Sequence, residues 1–340
     1  MRNHVLDAAR AAAAYSVVLL HISFPGETGG IINGICRYAV PFFFLVSGYF
    51  CFQEPEGKVL KKMPGKVRHI LSLAALACPF YILWGYLKCL IEGEDTARWL
   101  NELLDGDSIK NLICYNSTSP IRPHLWFLFA LFYCYLLFWA AEKLHAHKIA
   151  YLLIPVLLGG NFWMSARSLS AGGTYRVMEF RNYLFTGFPF FMLGHLFHGN
   201  QKRLAEKLSA AGCLFLAGTG VVMTVGEYLW IGQKELFAGS ILVSAGLFLF
   251  AVLAKGQKVP PFLSRAGEKY AFSIYLLHPA VGDLLGWIVS AFGMEEAPAY
   301  LWIRPGAVCL LSTFLAFTLL SARKTLGKFY GKHLFIFPKI

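Results

Sequence analysis

Apolar residues in this chain neither alternate in the two-residue rhythm of a strand nor form one stripe on polar helices. They come in unbroken runs of about 17–25 residues, the length a helix needs to cross the hydrocarbon of a bilayer. The runs fall near 5–24, 34–54, 69–91, 123–141, 149–165, 182–199, 208–226, 236–254, 270–293 and 300–322. The pattern predicts an all-α polytopic integral membrane protein with about ten transmembrane helices. Charge is sorted between the runs. Lys58, Lys61, Lys62, Lys66 and Arg68 follow the second run, and further Lys/Arg groups follow the fourth, sixth and eighth and fill the C-terminal tail, from Arg323 and Lys324 to Lys332 and Lys339. Segments on the other side are acidic, with Glu92, Glu94, Asp95, Glu102, Asp105 and Asp107 after the third run. Because cytoplasmic connections carry the excess of Lys and Arg, both termini are expected in the cytoplasm and the polar stretch at about 92–122 outside.

Composition agrees with this reading. Of 340 residues, 57% are hydrophobic and only 15% charged, against roughly 25% charged in a soluble domain. The net charge of +12 then orients helices in a membrane and does not argue for nucleic acid. The basic residues at 58–69 could still attract anionic lipid or an anionic cytoplasmic ligand. The eight cysteines contain no C-x-x-C pair and sit mostly within apolar runs, as small buried hydrophobes do. The first run lacks a strong basic leader and a small-residue cleavage site, so it is expected to stay as the first transmembrane helix. No internal repeat is evident, and one membrane-embedded domain, 1–340, is expected in the plasma membrane. No metal-ligand pattern is present.

Candidate chemistry lies where ionisable groups interrupt apolar runs, since such groups are costly in a bilayer and mark function by default. In AARAAAAYSVVLLHISFP, Arg10 and His21 are eleven residues apart, which at ~100° per residue returns them to within about 20° of one helix face, roughly 16 Å apart along the axis. They line one path at two depths. RYAVPFFFLVSGYF carries Arg37, the helix-kinking Pro41 and the small pair Ser47-Gly48 before Tyr49. That pair suits either close helix packing or a donor site. HLWFLF places His124 and Trp126 at an interface, and AFSIYLLHPAVGD places His278 and Asp283 inside the ninth run.

These segments together resemble the integral-membrane acyltransferase-3 family. The resemblance rests on D-x-x-R-x10-H at Asp7, Arg10 and His21, R-x3-P-x-F-F-x2-S-G-Y from Arg37 to Tyr49, H-L-W-F-L from His124, and S-I-Y-L-L-H-P from Ser273 to Pro279. It covers nearly the full length, and the arginine/histidine pattern in the first helix is its most specific part. The resemblance implies ten transmembrane helices and transfer of an acyl group, usually acetyl, from cytoplasmic acyl-CoA to a hydroxyl or amine of a surface saccharide, lipid-linked sugar or small molecule.

Carried onto this chain, the resemblance implies that Arg10 helps hold acyl-CoA, with Ser47, Gly48 and Tyr49 near the donor site, and that His21 is the catalytic histidine; a coenzyme entering from the basic cytoplasmic face could also place its phosphates near the 58–69 cluster, with Lys62 and Arg68. His278 and Asp283 are further candidates for proton transfer, and Arg37, His124 and Trp126 for acceptor binding. Imidazole suits the step because its ordinary pKa, near ~6.5, lets it take a proton and return it; covalent carriage of the acyl group is the other route. Acyl-CoA, membrane lipid and an extracytoplasmic or outer-leaflet acceptor are the expected partners. Some family members carry an extracytoplasmic hydrolase-like domain that hands the acyl group onward, and any such partner here would be a separate protein. Others are linked to amino-acid supply, which keeps a transporter of a small polar solute as the rival, with Arg10, His21, Arg37 and Asp283 lining its path.

Overall fold

The computed structural model describes residues 2–52, 58–170 and 175–329, and among them every regular element is helical. In chain order these are α1 (His4–His21), α2 (Gly26–Cys36), α3 (Ala39–Tyr49), α4 (Lys58–Glu92), α5 (Thr96–Leu104), α6 (Gly106–Tyr115), α7 (Trp126–Lys143) and α8 (His147–Ser170). Then follow α9 (Val177–Phe180), α10 (Phe188–Gly199), α11 (Gln201–Lys207), α12 (Ala210–Ile231), α13 (Ala238–Leu253), α14 (Pro261–Arg265), α15 (Ala271–Ser290) and α16 (Pro298–Phe329). Wide π-helical turns, Tyr183–Gly187 and Ala266–Tyr270, lead into α10 and α15. Among the described residues, seven helical runs are long and apolar enough to cross a membrane. The windows at 5–24, 182–199 and 236–254 fall on α1, α10 and α13, which are short or, for α1, diluted by His4, Asp7, Arg10 and His21. Lys332 and Lys339 of the basic tail lie outside the described residues.

Three expectations change in detail. The second apolar run is two helices, since the chain turns at Arg37 before Pro41, whose ring and missing N–H disfavour a continuous helix through the preceding turn. The basic stretch at 58–69 is the opening of the 35-residue α4 and not a loop. The acidic stretch after it holds α5 and α6, whose N-caps are two of the acids themselves: Asp95 accepts from Ala97 N and Arg98 N, and Asp105 from Asp107 N. Those carboxylates satisfy the orphan donors of helix starts.

The chain divides into two compact units, Met1–Phe43 with Lys202–Ile340, and Phe44–Gln201. In the first, α1 packs against the 261–270 segment, α15, α2, α13 and α16. Its alanines explain the fit. Ala11, Ala13 and Ala14 are fully buried, and such small side chains let backbones approach where lipid supplies no hydrophobic drive between helices. Ala14, Val18 and Ile22 meet Ala271, Ile274 and Val281 of α15 and Val308 and Ala316 of α16. In the second unit, α3 and α10 touch backbone to backbone: a Cβ on Gly48 would fall 1.8 Å from the Phe191 carbonyl oxygen, and one on Gly194 2.0 Å from that of Leu45.

Irregular backbone inside an apolar protein needs polar partners of its own. Around the 183–187 turn these are side chains. Asn161 donates to the Phe180 carbonyl at 2.8 Å and to Thr186 Oγ1 at 3.1 Å, while Asn182 Oδ1 accepts from Leu184 N and Phe185 N.

Candidate active site

The N-terminal end of α1 is an ion-pair network seated on the turn before α15. Asn3 caps the helix by accepting from Leu6 N and ties it to α13 by donating to the Ala251 carbonyl at 2.7 Å. Buried Asp7 accepts from Arg2 Nε at 2.8 Å, and Arg2 also pairs with Glu268. These partners raise the Arg2 pKa, the hydrogen bond to Glu268 contributing most. Gly267 makes the seat possible, because a Cβ there would lie 1.6 Å from the Asp7 carbonyl oxygen. Arg10 receives less from this network. Its Nη1 lies 3.7 Å from Asp7 Oδ1, and its Nε is buried with no hydrogen-bond partner among the described residues. A cation compensated in this partial way can accept an anionic ligand without first breaking a strong internal pair.

At the far end of α1 the exposed His21 meets fully buried His278 of α15, with ring centroids 5.2 Å apart and planes tilted by 35°. The sequence around His278 sets its chemistry. Pro279 has no N–H, so the carbonyl four residues back, that of Tyr275, loses its helical donor. His278 Nδ1 lies 2.8 Å from that carbonyl oxygen and 3.2 Å from that of Ile274. A carbonyl only accepts, so Nδ1 carries the hydrogen and, in the neutral ring, Nε2 carries the lone pair. The His-Pro step thus fixes a tautomer. Gly282 lies against Ile22, so half-buried Asp283 begins the next turn of α15 at the level where α1 ends.

Arg37, in the turn between α2 and α3, pairs with Glu235 at 2.5 Å, both side chains under one-fifth exposed. Gln233 stands beside this pair and Asn33. The partner that the structure gives Arg37 is thus a carboxylate of the chain itself.

The other predicted residues belong to the second unit. Gly48 is consumed by packing on α10, and Ser47 hydrogen-bonds Tyr135. Tyr49 stacks on His198 at 4.2 Å and its hydroxyl donates to Gln201 Oε1 at 2.9 Å. Lys62 and Arg68 are exposed on α4. Buried His124 meets the Tyr81 ring edge-on at 4.9 Å, and buried Trp126 carries the Arg181 guanidinium over its face at 5.6 Å.

Residues 3–322 match the family of acyltransferase domains to which the motifs point. The chain belongs to the acyltransferase-3 family. No significant match was found among curated proteins, and none among solved structures. Membership together with the apolar helices makes this acyltransferase-3 chain a membrane protein of an acyl-transferring family. Among the described residues no cluster of three or more His, Cys, Asp or Glu could hold a metal ion.

Sequence reasoning missed a second polar cluster in this acyltransferase-3 chain. Buried Glu142 at the end of α7 lies 3.4 Å from His147 Nδ1 and 3.9 Å from His195 Nε2, and Tyr151 shares a 2.8 Å hydrogen bond with His195 Nδ1. His198 Nδ1–H donates to the Tyr49 carbonyl at 2.8 Å. Glu142 reads in sequence as an ordinary acid at a membrane border, and only the crossing of α7, α8 and α10 assembles the group. Glu235 and Glu268 were missed for the same reason.

Proposed function

We propose that this protein transfers an acyl group, acetyl in the simplest case, from cytoplasmic acyl-CoA to a hydroxyl or amine of a cell-surface saccharide, lipid-linked sugar or small molecule. It acts as one membrane domain of the plasma membrane with both termini in the cytoplasm. The observation that carries this reading is the imidazole pair: exposed His21 against His278, whose Nδ1 proton is held on a proline-released carbonyl. His21 takes the proton of the acceptor hydroxyl as that oxygen attacks the thioester carbonyl carbon. Collapse breaks the carbon–sulfur bond, the CoA thiolate leaves with that proton, and the products are an ester and free CoA. His278 backs the ring as a positioning residue. Arg10, some 16 Å along the same face, supports donor binding through its partly compensated charge. A separate extracytoplasmic protein can receive the acyl group.

The test is CoA release from acetyl-CoA by membranes containing the protein and a hydroxylated acceptor, set beside calorimetric acetyl-CoA binding to the purified protein. His21→Gln, unable to take a proton at neutral pH, is expected to abolish release and to leave binding intact. Normal release from His21→Gln overturns the assignment. Solute flux in proteoliposomes without any acyl donor, with no CoA release, replaces it with transport.

A further inference from the structure

A polar cavity of about 420 Å³ opens within the Phe44–Gln201 unit, at the end of α7 where that helix begins. Its wall includes Asn111, Asn116, Thr118, Trp126, Arg176 and Arg181, with three further serines, and no Asp or Glu is among the described lining residues. Pro120, Pro123, Val177 and Met178 complete the wall. The volume lies within the range of small-molecule sites.

The wall is prebuilt. Asn116, fully buried and in the left-handed region at φ 51°, accepts from Tyr183 N at 2.8 Å and donates to the Trp126 carbonyl at 3.3 Å. Thr118 Oγ1 donates to the Arg122 carbonyl at 2.9 Å. One side chain thus ties the 116–123 segment to the start of α7 and to the turn before α10, so little ordering is left for a ligand to impose. The contents of the wall indicate what fits. Hydroxyls and amides suit a polyhydroxyl ligand, the Trp126 indole offers an apolar face, and two guanidiniums supply charge: Arg181 over that indole at 5.6 Å, and Arg176, which shares its Nε–H with Glu179 at 3.2 Å.

We infer that this cavity binds an acidic saccharide, a sugar unit carrying a phosphate or carboxylate, with the acid group on Arg181 and Arg176 and the ring hydroxyls on the Ser/Thr/Asn wall. As a substrate class the saccharide deepens the acyl-transfer proposal and rests on it there; saccharide binding at this cavity does not. A free saccharide and a lipid-linked one present the same chemistry to the cavity.

The experiment is direct binding to the purified full chain with no acyl donor present, so that loss of acyl transfer and loss of this site read out separately. Glucose 1-phosphate and glucuronate are expected to bind at least tenfold more tightly than glucose, and Arg181→Gln is expected to erase that preference. Ser119→Trp, which places a bulky ring at the exposed rim, is expected to block all three sugars while the melting temperature holds, which covers the case in which Arg181→Gln does not fold. An alkyl glucosyl phosphate in nanodiscs that outcompetes glucose 1-phosphate assigns the lipid-linked source, and equal competition assigns the free one. Glucose binding as tightly as its acids, binding unchanged by Ser119→Trp, or no saccharide binding at millimolar concentration overturns the inference.

Discussion

Two groups of histidines lie inside apolar helix packing in this protein, and they are completed in different ways. In the Met1–Phe43 and Lys202–Ile340 unit, His278 is buried with its Nδ1 proton committed to backbone, and the ring it meets, His21, is exposed. In the Phe44–Gln201 unit, His195 is buried among Glu142, Tyr151, His147 and the rings of Phe52 and Phe138, all of them the chain's own. A buried histidine surrounded by its own protein, with Nδ1 hydrogen-bonded to Tyr151, stabilises one arrangement of helices. A histidine pair with one exposed ring can pass a proton to something that arrives. On the proposed mechanism, access separates the two groups, and burial and imidazole content do not.

The largest contrast is expected in turnover. His21→Ala should lower acyl transfer by ~10²–10⁴, the usual worth of a general acid–base residue, while acetyl-CoA binding stays within about 1 kcal/mol of wild type. His195→Gln should do the reverse: transfer is retained, and unfolding becomes easier by about 1–3 kcal/mol as buried Glu142 and Tyr151 lose a partner. Transfer assays beside detergent melting curves measure both, and a dead His195→Gln with normal melting would break the comparison.

Next in size is the other end of α1. Arg10→Ala should weaken acetyl-CoA binding by about 1.5–3 kcal/mol, the worth of a charge-assisted contact, with folding preserved because the Asp7–Arg2–Glu268 network remains. Equal affinities by calorimetry would remove Arg10 from the donor site.

Pro279→Ala sharpens the comparison within α15. Alanine restores a helical N–H to the Tyr275 carbonyl, which then competes with His278 Nδ1–H for one acceptor. Transfer should fall about tenfold, or ~1.4 kcal/mol on the barrier, while the melting temperature rises as the helix regains a hydrogen bond. Unchanged turnover in the more stable variant would show that the tautomer is fixed by something else.

The smallest effect is assigned to Arg37. Its pair with Glu235 is part-buried, and a double-mutant cycle of Arg37→Met and Glu235→Gln should give a coupling in unfolding of about 1 kcal/mol with transfer nearly unchanged. A large loss of transfer on Arg37→Met, not reproduced by Glu235→Gln, would assign Arg37 to substrate binding.

Much of this was legible along the chain because a bilayer is a strict solvent. A helix must close its own hydrogen bonds there and must be apolar outside, so run length showed the helical class and most of the long apolar helices, and the ionisable residues left inside the runs pointed to α1 and α15. The Ser47-Gly48 pair was ambiguous in sequence, and the structure adds the close packing at Gly48, where a Cβ would lie 1.8 Å from the Phe191 carbonyl oxygen. The N-caps Asp95 and Asp105 were read only as acidic charge, although an Asp ahead of a helix-forming stretch carries its own signal.

By itself the sequence determined the helical class, the membrane habit, the phase that puts Arg10 and His21 on one face, and the family, because each depends on spacing within a segment. Only the tertiary structure decided partners. That His21 meets His278, that Arg37 meets Glu235, that Glu142 gathers His147 and His195, and that Asn116 joins Tyr183 to Trp126 are contacts between residues far apart in the chain. A lone charge or imidazole in an apolar run states its need for a partner, but the packing of helices chooses which one it gets.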